Sequence, residues 1–197
     1  MGILHRRQTN LAGINVAGMS EEDLRKLVRE ILDDKIHGIC YSPYVEGQGP
    51  GTQIGADQIR ERLAFIQDHC HWIRTFSCSE GNELIPAVAR EAGLKTMVGV
   101  WLDDNREQNE IELANAIEIA KAGHADILGV GNEVLLRGEL TEDELIDYIN
   151  RAKAGASGVP VGYVDAYFEF EVHPRVTEAC EVILANCYPY WEGCPAD

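Results

Sequence analysis

The chain has 197 residues, 45 % of them hydrophobic and 25 % charged, a balance that supports one soluble globular domain around a single core. Thirty-three acidic against seventeen basic residues leave a formal charge of −16, which repels polyphosphate and anionic lipid and so excludes nucleic acid and membrane surfaces as expected partners. No run approaches the ~20 apolar residues of a bilayer span, and Leu11 to Met19 behind Arg6 and Arg7 makes a poor signal peptide, so a cytoplasmic location is expected.

Residues 1–36 form a leading segment. Within it Ser20 with Asp23 reads as a helix N-cap, followed by Leu24, Leu27, Val28, Ile31 and Leu32 at helical spacing. From residue 37 to 197 short apolar or β-branched runs alternate with longer amphipathic segments, the pattern of parallel strands joined by helices. Strands are predicted near 37–43, 72–78, 95–102, 125–133, 160–166 and 181–188, with helices near 57–69, 80–92, 106–122, 141–154 and 173–179. Thr141 with Glu144 forms a capping box and Asn105 with Gln108 a looser one, while Gly93, Gly123 and Gly155 fall where helix C-caps belong.

Units of roughly 30 residues point to an α/β fold of the (β/α)₈ type, a TIM barrel of about 250 residues. About six units are present, so the barrel is expected to be incomplete, either through truncation or with a partner closing the gap, a second copy at the open edges being one such partner.

In such barrels the chemistry lies at the C-terminal ends of the strands. The fourth predicted strand ends in Asn132-Glu133, and strict alternation would place Ile127, Gly129, Gly131 and Glu133 on one face, with Glu133 in the barrel mouth. A partly desolvated carboxyl there could protonate a leaving oxygen. The rival structural role for Glu133 is a turn cap or a pair with Arg137. Tyr41, Tyr44, Phe76, Trp101, Tyr167, Tyr188, Tyr190 and Trp191 all fall at or past strand ends, where aromatic faces can stack on sugar rings.

Other groups carry less. His69 and His71 bracket Cys70 at the start of the second strand, and Lys95 starts the third, so both lie at the stability end of the barrel. Asp103 and Asp104 read as helix-capping residues. Six cysteines (Cys40, Cys70, Cys78, Cys180, Cys187 and Cys194) show no C-x-x-C pair and are expected as buried free thiols. Gly47, Gly49 and Gly51 are interrupted by Pro50 and make no phosphate loop. No metal site and no cofactor are expected.

Four motifs carry a resemblance: Gly38-Ile-Cys-Tyr-Ser-Pro-Tyr44, Ile73-Arg-Thr-Phe76, Gly129-Val-Gly-Asn-Glu-Val134 and Asn186-Cys-Tyr-Pro-Tyr190. On these the chain resembles glycoside hydrolase family 17, the β-1,3-glucanase family, whose acid/base and nucleophile stand on strands four and seven. The resemblance implies a retaining hydrolase or transglycosylase acting on β-glucan or its oligosaccharides. Glu133 would be its acid/base, and Asn132, Tyr41, Tyr188, Phe76, Trp101 and Tyr190 its substrate-binding residues. The family's nucleophile lies in a Glu-Thr-Gly-Trp type motif that this sequence does not contain, so no nucleophile is expected in this chain. Glu80 and Glu192 are read as loop residues. The alternative expectation is a barrel fragment that binds carbohydrate without turning it over.

Overall fold

The computed structural model describes residues 16–189 and 191–193. Six strands, β1 (Ile36–Cys40), β2 (Cys70–Arg74), β3 (Lys95–Val100), β4 (Ile127–Asn132), β5 (Val161–Ala166) and β6 (Val182–Asn186), make one sheet. Their spatial order is their chain order and every pairing is parallel. Helix α1 (Glu21–Asp33) leads into β1, and α2 (Ala56–Leu63) connects β1 to β2. A 3-10 turn (Asn82–Leu84) and α3 (Ile85–Glu91) lead to β3, then α4 (Arg106–Lys121) to β4 and α5 (Glu142–Gly155) to β5. The pair α6 (Glu169–Val172) and α7 (Pro174–Ala179) leads to β6. Parallel neighbours with helical crossovers curl the sheet into part of a (β/α)₈ barrel, as the alternation of apolar and amphipathic segments predicts.

Local chemistry fixes the ends of the helices. Ser20 accepts from the Asp23 amide and Asn105 from the Gln108 amide, and Thr141 and Glu144 complete a reciprocal capping box. Gly93 and Gly123 take left-handed backbone after α3 and α4, as expected. Gly155 does not: it is the last helical residue of α5, and a Cβ there would stand 2.6 Å from Ile117 of α4. Its role is close helix packing rather than capping. The segment expected to be helical over 57–69 stops at Leu63, after which the chain tightens into three-residue turns, Phe65 to Arg62 and Ile66 to Leu63. The four-residue α6 is too short to leave a helical period in the sequence.

Two apolar clusters fill the layer between sheet and helices. Ile59, Leu63, Ile73, Ile85, Val88 and Leu94 pack around β1 to β3, and Val98, Val100, Leu128, Val130, Leu145, Ile149 and Tyr163 around β3 to β5. Inside the curve of the sheet, Trp72, Arg74, Met97, Ile127 and Leu184 line a hollow of about 310 Å³.

Among the described residues β1 pairs only with β2 and β6 only with β5, and both edges are open. Ile39 and Ile183 there are 41 % and 43 % exposed. The predicted α1 forms, but none of its residues is buried. Of the cysteines expected to be buried, Cys70 and Cys78 are and Cys180 is half-buried, whereas Cys40, the last residue of edge strand β1, and Cys187, just past edge strand β6, are exposed. Cys194 lies outside the described residues. No helix among the described residues is long and apolar enough to cross a membrane.

Candidate active site

The end of β4 departs from strict alternation. Gly129 pairs with Gly162 but Asn132 pairs with Val164, so three residues of β4 match two of β5. The extra residue is a bulge. Val130 is buried in the outer core, and a Cβ on Gly131 would also face outward, 3.1 Å from the Tyr163 ring. Gly131 has φ +84°, a left-handed conformation that glycine adopts without a steric penalty. The expected grouping of Gly131 with Gly129 and Glu133 on one face is therefore corrected. By turning Gly131 outward, the bulge brings Asn132 back to the inner face.

Glu133 follows in left-handed backbone as well, at φ +54°, uncommon for a residue with a side chain. Its amide donates to Val164 O at 2.7 Å and its carbonyl accepts from Arg137 N at 2.8 Å, which hold it there. Two consecutive side chains thus reach one site.

A relay of amides links strands two, four and six. Arg74 donates to Asn132 Oδ1 at 2.6 Å and to Asn186 Oδ1 at 3.2 Å. With its oxygen occupied by a cation, Asn186 must present Nδ2 to Glu133, and it donates to Oε1 at 2.8 Å. The Tyr188 hydroxyl donates to the same oxygen. Burial, followed by the hydrogen bond and charge of Glu133, pushes the Tyr188 hydroxyl up to about 12. The guanidinium of Arg74 lies 4.8 Å over Phe76, which supports it from one face.

Beyond that backbone bond, the Arg137 guanidinium forms no ion pair with the Glu133 carboxylate. It pairs with Glu139 at 2.5 Å, lies 4.7 Å over the Trp101 ring and donates to the carbonyls of Asn132 and Leu102. Asp165 on β5 is fully buried; it accepts from the Tyr163 hydroxyl and from Ala166 N, and burial raises its carboxyl. Because Tyr163 belongs to the outer core, Asp165 braces β4 from behind rather than entering the cleft.

The remaining predicted residues divide into two groups. Tyr41, Tyr44, Phe76 and Trp101 border a cavity of about 400 Å³ beyond β1 to β3, with Glu80, Asp103 and Glu112 in its wall. Tyr41 is only 7 % exposed and its hydroxyl donates to Ile59 O, so it contributes a ring edge rather than a free hydroxyl. Burial pushes that hydroxyl up to about 12. Tyr167, Tyr188 and Trp191 are exposed on the β5 to β6 side. Tyr190 lies outside the described residues. Glu80 accepts from Gly51 N and Glu192 from the Tyr167 hydroxyl, both as loop residues. His69 meets the Leu32 carbonyl at the opposite end of the barrel, and Lys95 lies over Trp72. No group of three or more His, Cys, Asp or Glu side chains that could hold a metal occurs among the described residues.

The BtgE/BtgC glycoside hydrolase domain model matches residues 38–197. The chain belongs to that family. Glucan 1,3-beta-glucosidases of Candida albicans and Schizosaccharomyces pombe are 28 % and 30 % identical to this chain over 160 and 157 residues. These matches take in 72 % and 73 % of this chain and 52 % and 49 % of the relatives, so the chain spans about half of their length. A solved family 17 beta-1,3-glucanosyltransferase from Rhizomucor miehei is 27 % identical with a TM-score of 0.68, over 82 % of this chain and 60 % of that one. An active-site mutant of that enzyme has been solved with laminaritriose. The expected resemblance to a family 17 β-glucanase is thereby established.

Two residues of the candidate site were not singled out from sequence. Asn186 was read only as part of a motif, although its amide joins Arg74 to Glu133. Glu112 is a buried carboxylate on α4. Its signal was available: Asn109, Glu112, Leu113, Ala116 and Ala120 follow a helical stripe that is buried, while Ile111 is exposed.

Proposed function

We propose that Glu133 is the acid/base of a retaining β-glucan hydrolase or glucanosyltransferase. It protonates the glycosidic oxygen and then activates water or an acceptor sugar. The observation that carries this reading is the arrangement around its carboxyl group. Asn186 and Tyr188 both donate to Oε1, and among the described residues Oε2 takes part in no hydrogen bond, so the transferable proton belongs on Oε2. Asn132 beside it supplies an amide for a sugar hydroxyl, and the cavity bordered by Phe76 and Trp101 supplies apolar faces for neighbouring rings.

A retaining mechanism needs a second carboxylate about 5 Å from the first. We assign it to polypeptide that pairs with the open edges of β1 and β6, and pairing of a second copy along those edges is the competing outcome for light scattering to detect. In a catalytically complete form, Glu133→Gln should lower laminarin turnover by about 10²–10⁴-fold without changing the melting temperature; near-normal turnover ends the assignment. The 197-residue chain alone should release no reducing sugar from laminarin, and release would overturn the account of the second carboxylate. The aromatic cavity also supports a second reading, binding without turnover. Calorimetric binding of laminaritriose that Glu133→Gln leaves unchanged, with no complete form turning over laminarin, would favour it.

A further inference from the structure

The buried carboxylate of Glu112 is absent from the chemistry described above, yet it touches both walls of the aromatic cavity. It is 1 % exposed. Oε1 accepts from the Ser77 and Ser79 hydroxyls at 2.6 and 2.5 Å, and Oε2 accepts from the backbone amides of Cys78 at 2.6 Å and Trp101 at 3.1 Å. Ser77 to Ser79 follow Phe76 in the segment just past β2, and Trp101 follows β3 directly. One carboxylate therefore ties the segment carrying one ring to the residue carrying the other.

The surrounding bonds reinforce the tie. Asn115, one turn along α4, donates to Cys78 O at 2.7 Å, and Gly99 N donates to Thr75 Oγ1 at 3.1 Å. The two segments also approach very closely, since a Cβ on Gly99 would stand 2.8 Å from Phe76 Cα. A carboxyl group is an extravagant brace in an apolar layer unless all its lone pairs are used, and here both oxygens are doubly engaged.

We propose that Glu112 is a positioning residue for sugar binding: it sets the separation and tilt of Phe76 and Trp101 so that the cavity accepts successive rings of a β-glucan chain. This rests on the reading of the site given above. The chemistry makes a specific demand on substitutions. Oε2 faces two N–H donors and must remain an acceptor, whereas Oε1 faces two hydroxyls that can either donate or accept. Glutamine satisfies both sides by placing its oxygen on the amides and its NH₂ on the serines. Alanine satisfies neither, and aspartate, one methylene shorter, cannot span them.

The test uses the 197-residue chain with laminaritriose as probe, at a temperature where circular dichroism shows every variant folded. Glu112→Gln should keep affinity within about threefold of wild type, while Glu112→Ala and Glu112→Asp should lose tenfold or more. Wild-type affinity in folded Glu112→Ala, or loss in Glu112→Gln equal to that in Glu112→Ala, overturns the proposal. If wild type itself binds no laminaritriose, the substrate reading fails, and Glu112 is then judged by acrylamide quenching of Trp101, with Trp72 and Trp191 replaced by phenylalanine. Quenching should rise in Glu112→Ala and stay at the wild-type level in Glu112→Gln; equal quenching in all three refutes the positioning role.

Discussion

Replacing Gly131 by alanine tests whether the bulge in β4 builds the site. The position has φ +84°, and a Cβ would lie 3.1 Å from Tyr163 Cε2 and 3.3 Å from Val134 Cγ1. Left-handed backbone costs an L-residue about 1–2 kcal/mol, and crowding a packed core adds roughly 1–2 kcal/mol. The ring cannot step aside freely, because the Tyr163 hydroxyl accepts from Leu135 N at 2.9 Å and donates to Asp165. A total loss of about 2–4 kcal/mol follows, and with a urea slope near 2 kcal/mol/M the midpoint should fall by about 1–2 M. Gly138→Ala is the matched control: φ is +69° there but nothing lies within 4 Å of the added carbon, so only the backbone cost of about 1–2 kcal/mol applies. Equal losses in the two variants would refute the packing argument and with it the placement of Gly131 against Tyr163.

Two further outcomes follow from the titrating groups. In Glu133→Gln the Tyr188 hydroxyl loses a charged partner, so its midpoint should move from about 12 toward the ordinary value of 10 while staying above it, because burial is the larger cause. Carbon-13 NMR of ring-labelled tyrosine measures this, and an unmoved midpoint would separate Tyr188 from Glu133. The second outcome concerns Glu112, whose carboxyl is raised by burial against the pull of its four hydrogen bonds. A carboxyl raised on folding contributes stability that is fully present below its unfolded value, about 4.3, and is lost as pH rises through the folded value. The melting temperature of wild type relative to Glu112→Gln should therefore be most favourable in acid and decline through the pH range just above ordinary carboxylates. The opposite slope would show that hydrogen bonding outweighs burial.

The barrel was legible because its signals are local and repeated. The caps at Ser20, Asn105 and Thr141 and the apolar runs of the strands each report on a few neighbouring residues. The position of Glu133, directly after β4, was legible for the same reason. That Asn132 and Glu133 share one site followed from the family resemblance alone; the geometry that permits it was not legible, since alternation sends neighbours to opposite faces and only the bulge at Gly131, fixed by pairing with β5, reverses it. Nor was the bridge from Arg74 to Asn186, which joins residues 112 positions apart. Gly155 was misread because a glycine at a helix end serves equally as a cap or as a gap for a neighbouring side chain, and Ile117 decides between them. Tyr41 illustrates the same limit, for a tyrosine at a strand end can face a cleft or donate into the core.

Arg74, Asn132 and Asn186 come from β2, β4 and β6, the alternate-strand origin of a single tier in barrels of this kind, where four side chains complete a tier. Three seats are therefore taken by one cation and two amides. The Nε of Arg74 is buried with no acceptor among the described residues. A fourth occupant arriving from an eighth strand would meet that idle donor, so an oxygen-bearing side chain suits the seat better than a hydrocarbon one.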